Sequence, residues 1–341
     1  MNRRTTRGTT RGLAVASALV VSTTLLAGCA DELPQPQAGE ASGGPVLTEE
    51  QDTQVFTAVA DTVAKADKRL KSSALKPRVT GPAYEVRKSQ LAVAKKRDNA
   101  EFVTDIPSES QQMIIPTTEG WPRTSFSITS STEDLETPRL VAFEQKSARA
   151  DYKMWAWVQL IPGQSMPYFA DSAVGSAAVA ADDDSLAASP ADALAQYADI
   201  VTLGAKKSSF AKGFDLPDGD LVAAVAADAA AWKEVSGFEE SGTKYSQKYK
   251  ARKDEVRAIR TAEGGALVMG VLDGKTTVEA EDEAKVPALS ETQKALLGDT
   301  DQTNKLTTRY TDMVALYVPA KGSDEKIRPL GYSHVATAAS N

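Results

Sequence analysis

Few side chains in this sequence offer the covalent, metal-binding or acid-base chemistry that proteins commonly use. The 341 residues contain one cysteine, Cys29, and one histidine, His334. A single cysteine has no partner for an intrachain disulfide. A single histidine leaves histidine-rich zinc sites and Ser/His/Asp triads dependent on one residue near the C-terminus. We expect His334 to be an ordinary strand residue, exposed or partly buried.

Cys29 follows a segment with the pattern of an export signal. Residues 1–11 contain four arginines and no acid, and residues 13–26 form an uncharged, largely apolar run. A charged start followed by an apolar run is typical of a signal peptide. The 14 residues of the run are too few for a permanent membrane span, which needs roughly 20. Asn2 and Thr5 flank the Arg3-Arg4 pair and favour general export over twin-arginine export.

The signal ends in Leu26, Ala27, Gly28 and Cys29, which resembles the lipobox of bacterial lipoproteins. The resemblance implies cleavage before Cys29 and a diacylglyceryl group on its thiol. Two acyl chains, at about 0.8 kcal/mol per buried CH₂, hold a protein stably on a membrane. The alternatives are an ordinary secretory signal, or a core cysteine of a cytosolic protein. Because the lone cysteine falls where a lipobox requires one, we predict a lipid-anchored protein on the extracytoplasmic side of the cell membrane.

The net charge of the chain limits the kinds of partner that it can bind. Removing residues 1–28 takes away four arginines and no acid, and changes the formal net charge from −7 to −11. An acidic chain repels nucleic acid and anionic lipid headgroups. We therefore expect no nucleic-acid partner, and attachment to the membrane through the N-terminal lipid alone.

Aromatic residues form the candidate ligand site. Trp155 and Trp157 alternate along a predicted strand, so both indoles are expected on one side of it. With Trp121 nearby in sequence, they could line a pocket for an apolar or sugar-like ligand. The alternative is that the indoles pack beneath a helix or between domains.

Carboxylates give no comparable signal. Asp105 and Asp151 are the acids nearest the aromatic strands, but no histidine lies in that part of the sequence to pair with them. The acidic runs 182–184 and 281–283 lack the spacing of a calcium loop and are typical of solvated loops. We predict no cofactor, no metal site and no enzymatic activity.

Composition divides the chain into five parts. We predict a signal peptide at 1–28, a disordered tether at 29–47 rich in Pro, Gly and acids, and a first domain at 48–170. A linker of small residues and aspartates follows at 171–190, and a second domain occupies 191–341.

Each predicted domain starts with helices and continues with strands. Capping-box sequences start helices at Thr48 and Ser290, and Thr80-Gly81-Pro82 separates the first two helices. A turn at 321–324 predicts a closing hairpin. The predicted strands are 110–117, 123–129, 139–145 and 152–161 in the first domain, and 244–251, 255–262, 266–272, 310–319 and 329–338 in the second.

This order resembles the NTF2-like or cystatin-like α+β fold, in which a sheet wraps a helix and leaves a concave mouth. Segments 140–160 and 256–272 both consist of a strand, a polar turn and a longer strand, which indicates a duplication. The mature chain resembles uncharacterised actinobacterial cell-envelope lipoproteins, on the lipobox, the element order and residues 79–83 after the first helix. The resemblance implies two tandem NTF2-like modules.

The function expected from these features is a noncatalytic binding or protein-interaction module of the cell envelope. One alternative is a carrier of a small apolar ligand, or an enzyme, that uses a sheet pocket near Trp155 and Trp157. The other is a structural partner in envelope assembly.

Overall fold

The computed structural model describes residues 43–118, 120–131 and 137–341. In this part the chain is an α+β protein, as predicted, with helices packed on a curled antiparallel sheet. The predicted signal peptide, Cys29 and most of the predicted tether lie outside the described residues. No helix in the described ranges is long and apolar enough to cross a membrane.

The first two helices begin where the sequence predicts. Helix α1 is Glu49–Lys68, and its capping box is formed: the backbone N–H of Gln51 donates to Thr48 Oγ1 at 3.2 Å, and that of Thr48 donates to Gln51 Oε1 at 3.0 Å. Helix α2 is Gly81–Arg97, with proline in its first turn and three basic residues in its last. These basic side chains stabilise the negative end of the helix dipole.

Four strands follow in an antiparallel meander, as predicted. They are β1 (Ser110–Ile114), β2 (Arg123–Thr129), β3 (Arg139–Gln145) and β4 (Lys153–Leu160). The rest of the chain forms β5 (Ala178–Val179), α3 (Pro190–Leu203), α4 (Leu221–Lys233), β6 (Lys244–Arg260), β7 (Ala266–Glu279), α5 (Glu291–Leu297), β8 (Lys305–Val318) and β9 (Arg328–Ser340).

The strands of the second half are longer than predicted. Segments 244–251 and 255–262 belong to one strand, β6, whose pairing with β7 is irregular between Ala251 and Val256. Strand β7 continues beyond residue 272 through Asp273 and Gly274, two residues that usually end strands. Gly274 is tolerated because it makes room for tyrosines: a Cβ there would lie 2.4 Å from Tyr249 Cε1.

All nine strands form one sheet, in the order β1-β2-β3-β4-β9-β8-β7-β6-β5. The two halves meet at β4 and β9, which pair only at Gln159 with Tyr332 and at Leu160 with Gly331. We call this junction the seam. The predicted linker is part of the same sheet, because β5 lies within 171–190 and pairs with β6.

The packing joins the two halves as well. One core cluster includes Trp155 and Trp157 of β4 together with Met269 of β7 and Met313 of β8. A second cluster packs α3 and α4 on the other face of β7 and β8, because side chains alternate between the faces of a strand. The division at 171–190 therefore does not separate two sheets or two cores within the described residues.

The curl of the sheet is visible in one long-range ion pair. Arg257 of β6 donates through Nε to Glu144 Oε2 of β3 at 2.9 Å, although four strands lie between β3 and β6 in the sheet order. The Arg257 guanidinium also lies 4.7 Å from the centroid of the Trp155 ring. The edges of the sheet therefore curve toward one another around the core under α2.

Candidate functional site

A cavity of about 360 Å³ lies at the seam. Strands β4 and β9 pair at two positions only. Trp157 precedes this contact on β4 and His334 follows it on β9, so the two residues are not backbone partners. Both residues line the cavity, as do Gln159 and Tyr332. Ala224 of α4 lines it from the second half of the chain. The volume is within the range of pockets that hold small ligands.

The three tryptophans predicted to form one pocket have different surroundings. Trp155 and Trp157 are 2% and 1% exposed and belong to the core. Trp121 is 44% exposed and stacks under the Arg123 guanidinium, 4.4 Å from the ring centroid. Of the three, Trp157 lines the seam cavity. The structure therefore does not bring the three indoles together around one cavity.

Helix α2 covers the two core indoles. A Cβ at Gly81 would lie 2.7 Å from Trp155 Cδ1, and the φ of Gly81 is +55°. Glycine is needed here because a side chain would clash with the Trp155 ring and because other residues rarely adopt a positive φ. Arg87 of the same helix places its guanidinium 5.8 Å from the Trp157 ring centroid. The segment Thr80-Gly81-Pro82 thus lets the start of α2 approach β4 closely.

His334 belongs to a charged cluster that was not predicted from the sequence. Its Nδ1 donates to Asp312 Oδ1 at 2.8 Å, and its Nε2 lies 3.5 Å from Asp228 Oδ2 of α4. The Tyr310 ring stacks on the imidazole, with centroids 4.3 Å apart. Asp312 is fully buried. His334 is therefore a partly buried strand residue, as expected, and it also joins β9 to β8 and α4 through charged groups.

The surroundings of His334 control its protonation. Burial by itself lowers the pKa of His334, but the charge of Asp312, the hydrogen bond to Asp312 and the nearby Asp228 carboxylate outweigh burial and raise the pKa to about 9. Burial raises the pKa of Asp312, and His334 opposes that shift. His334 is then a cation at neutral pH. A protonated imidazole donates hydrogen bonds but accepts no proton, so it cannot act as a general base there.

The register of the predicted hairpin contained the signal for this pair. Residues equally distant from a hairpin turn lie opposite each other. Asp312 is nine residues before Lys321, and His334 is ten residues after Asp324. A register shift between Ala315 and Leu316 makes up the difference and pairs the two positions. Counting outward from the turn would have brought the carboxylate and the imidazole within one residue of each other.

The other acids form ordinary structural contacts. Asp151 pairs with Arg78 at 3.3 Å, and Asp105 accepts a hydrogen bond from Arg139 Nε through its backbone oxygen at 3.3 Å. In the run 182–184, Asp183 binds Arg260 at 2.8 Å. The run 281–283 is exposed. Within the described ranges, no group of three or more His, Cys, Asp or Glu residues is placed to hold a metal ion.

Comparison with known proteins identifies one related family. A family model described as a domain of unknown function (DUF8094) matches residues 43–341. No curated protein matches the sequence, and no solved structure matches it. The matched range includes every helix and strand described above, together with the seam cavity.

Proposed function

We propose that this chain, which belongs to the DUF8094 family, is an extracytoplasmic lipoprotein of the cell membrane whose folded part is a noncatalytic binding module. The anchor is a diacylglyceryl group on Cys29. The binding site is the seam cavity. The observation that carries the binding role is a cavity of about 360 Å³ between two halves of one sheet, lined by aromatic and hydrogen-bonding side chains.

The anchor is supported by the sequence. The lipobox residues Leu26, Ala27 and Gly28 precede the lone cysteine, and the family match begins at residue 43, beyond Cys29. Residues 29–42 carry three acids, two prolines, one glycine and few large apolar side chains, the composition from which a tether is predicted. The membrane is thus a partner through lipid, with no part for nucleic acid.

The resemblance to tandem NTF2-like modules of actinobacterial lipoproteins is part of the proposal. It is supported by a repeated order of elements. In the first half of the chain two helices are followed by strands β1 to β4, and in the second half the helices α3 and α4 are followed by strands β6 to β9. In this view the site lies between two related halves rather than in the mouth of either.

The noncatalytic role is supported by the state of His334. General base catalysis by His334 at neutral pH would need an unprotonated imidazole, and the pKa of His334 of about 9 leaves the imidazole protonated. The Asp312–His334 contact is the one observation that favours an enzyme as the second candidate.

Variants of α4 test the binding role. Ala224 lines the cavity, whereas Ala227 is exposed on the same helix. Ala224→Trp should fill the cavity, and Ala227→Trp is its control. Small molecules extracted from the native envelope should raise the melting temperature of the wild type and of Ala227→Trp, but not that of Ala224→Trp. At a ligand concentration of 100 times Kd the stabilisation is about 2.7 kcal/mol.

Two results would contradict the proposal. The first is equal stabilisation of the two variants, since the cavity would then not be the binding site. The second is recovery of the bound compound in chemically altered form after incubation with the wild type, since that would favour the enzyme. Recovery of the unchanged compound is the expected outcome.

A further inference from the structure

The charged groups at the seam cavity already have partners within the protein. Arg139 and His334 are the charged residues that line it. His334 lies between the carboxylates of Asp312, at 2.8 Å, and Asp228, at 3.5 Å. Arg139 is engaged as well, with its Nε donating to the Asp105 carbonyl oxygen. A charged ligand would have to displace one of these contacts, and desolvating an ion without a partner costs several kcal/mol.

The other polar groups of the lining are neutral and available. Gln159, Tyr332 and Ser333 line the cavity, and their side chains have no hydrogen-bond partner in the described part of the protein. Trp157 Nε1 also has no acceptor among the described residues, but this atom is buried and is therefore not available to a ligand. Amide and hydroxyl groups both donate and accept, whereas an indole N–H only donates. Such a set fits a ligand that carries several groups able both to donate and to accept.

Apolar surface accompanies these groups. Leu160, Ile161 and Pro162 line the cavity beside the Tyr332 ring. A ligand that fits must therefore present C–H surface as well as hydroxyl groups. The volume equals that of about twelve liquid water molecules, at roughly 30 Å³ each, which is enough for a single sugar ring.

We propose that the seam cavity binds an uncharged polyhydroxylated ring compound, a neutral saccharide, with hydroxyl groups paired to Gln159, Tyr332 and Ser333 and its C–H face against the apolar wall. This inference rests on the proposed binding function and specifies its ligand. Its basis is that one cavity brings together charged groups that already have partners and neutral hydrogen-bonding groups that have none.

Four ring compounds of similar size test the inference. Methyl glucoside is the neutral polyol, glucuronate is its anionic counterpart, glucosamine is its cationic counterpart, and cyclohexanol keeps the ring with a single hydroxyl. Each is titrated into the full-length chain, held in a detergent without a sugar headgroup. The indole N–H signals of the protein are followed by NMR while the compound is added to a concentration of about 10 mM. This concentration is ten times the Kd of a weak ligand, about 1 mM. Loss of one signal in Trp157→Phe assigns that residue.

Methyl glucoside should shift the Trp157 signal and bind at least tenfold more tightly than the other three compounds. Gln159→Ala should weaken this binding about tenfold, since a lost hydrogen bond of about 1.4 kcal/mol has that effect. Gln112→Ala, which alters an exposed glutamine on the outer strand β1, should not change it. If Trp157→Phe does not fold, the Kd values measured for Gln159→Ala and Gln112→Ala test the inference without it.

The failing outcomes separate the two proposals. Tighter binding of glucuronate, glucosamine or cyclohexanol with the Trp157 signal shifted would overturn the saccharide inference and leave the binding function standing. An absence of any shift with the four probes would overturn the inference. If envelope extracts also fail to stabilise the wild type, the binding function falls with it.

Discussion

His334 is held by groups from three directions, and their balance determines what the residue can do. Asp312 and Tyr310 belong to β8, and Asp228 belongs to α4. Two carboxylates around one imidazolium make it a structural cation. The same residue joins the closing hairpin to α4, beside the cavity that we propose as the binding site. Its titration should therefore be visible in the stability of the protein.

We expect the free energy of unfolding to fall as the pH rises from about 7 to 10. The pKa of His334 in the folded protein, about 9, lies above its ordinary value of 6.5. The contribution is therefore complete below about pH 6.5 and is lost as the pH rises through 9. A shift of this size corresponds to about 3 kcal/mol. Denaturant unfolding measured at each pH gives the profile.

The double variant Asp312→Asn, His334→Gln is the control for this profile. It removes the imidazole and its buried carboxylate together, so that no ion remains unpaired between them. Burial is the main cause that raises the pKa of Tyr249 and Tyr310, and the charge of Asp312 adds to it, so the two proteins are compared below pH 10, where both tyrosines are neutral in the folded wild type. The difference in unfolding free energy between the wild type and the variant should decrease as the pH approaches 10. A difference that is constant with pH would contradict the assigned pKa.

Glu144 provides a second prediction at this scale. It is 3% exposed and binds Arg257 across the curl of the sheet. Glu144→Gln should lower the free energy of unfolding by about 2 kcal/mol, because a buried charge-assisted hydrogen bond is lost and Arg257 loses its partner. Glu279→Gln is the matched control: Glu279 pairs with Lys305 at 3.0 Å but is exposed, and such pairs contribute about 0–1 kcal/mol. Equal losses in the two variants would count against the ion pair as a tie between β3 and β6.

At the scale of elements, the long strands β6, β7 and β8 depend on a glycine that is not at a turn. Gly274 pairs with Tyr249 on one side and with Tyr310 on the other. A Cβ at this position would lie 2.4 Å from the first ring and 3.0 Å from Tyr310 Cβ. The absence of a side chain therefore allows two tyrosines to occupy neighbouring strands on the same face.

Gly274→Ala should lower the free energy of unfolding by about 1–3 kcal/mol, because the added methyl group overpacks a buried site. Gly213→Ala is the control, since Gly213 lacks both a neighbour within 4 Å of its added Cβ and a positive φ. Chemical denaturation of the two variants measures the difference. Similar stabilities would show that the tyrosine rings move aside at little cost.

The sequence predicted elements whose signals are local. Thr48 and Ser290 start helices by capping contacts within three residues, and both capping boxes are formed. Strands β2 and β3 have the predicted bounds, and β4 is one residue shorter at each end than predicted. Strand β1 starts where predicted but ends three residues earlier, at Ile114. The continuation of β7 through Asp273 and Gly274 was missed, because the reason for that glycine is two tyrosines on other strands. In the His334 cluster, the hairpin register contained a signal for Asp312, whereas Asp228 could not be found in this way because it lies on a distant helix.

On the scale of the whole molecule, the two halves share a sheet and a core. Residues 43–341 form one compact unit, and the cluster around Trp155 and Trp157 includes side chains of β7 and β8. The two halves are thus packed together on one sheet. The seam cavity exists only where both halves are present.

We expect fragments 43–181 and 182–341 to be unable to fold separately. Each would expose the edge of β4 or β9 and half of a shared core, and unpaired edges of this kind favour aggregation. Coexpressed fragments should associate and unfold in one transition. Circular dichroism during thermal unfolding of each fragment, alone and together, measures this. Cooperative unfolding of either fragment alone would contradict a shared core.

The attachment of the molecule to a membrane is the central claim, and the mass of the native N-terminus tests it most directly. The protein is extracted from its own membrane and its N-terminal peptide is analysed by mass spectrometry. We predict a peptide that begins at Cys29 and carries the added mass of a diacylglyceryl group, and a Cys29→Ala variant that keeps residues 1–28 without lipid. An unacylated native chain that retains residues 1–28 would contradict the account.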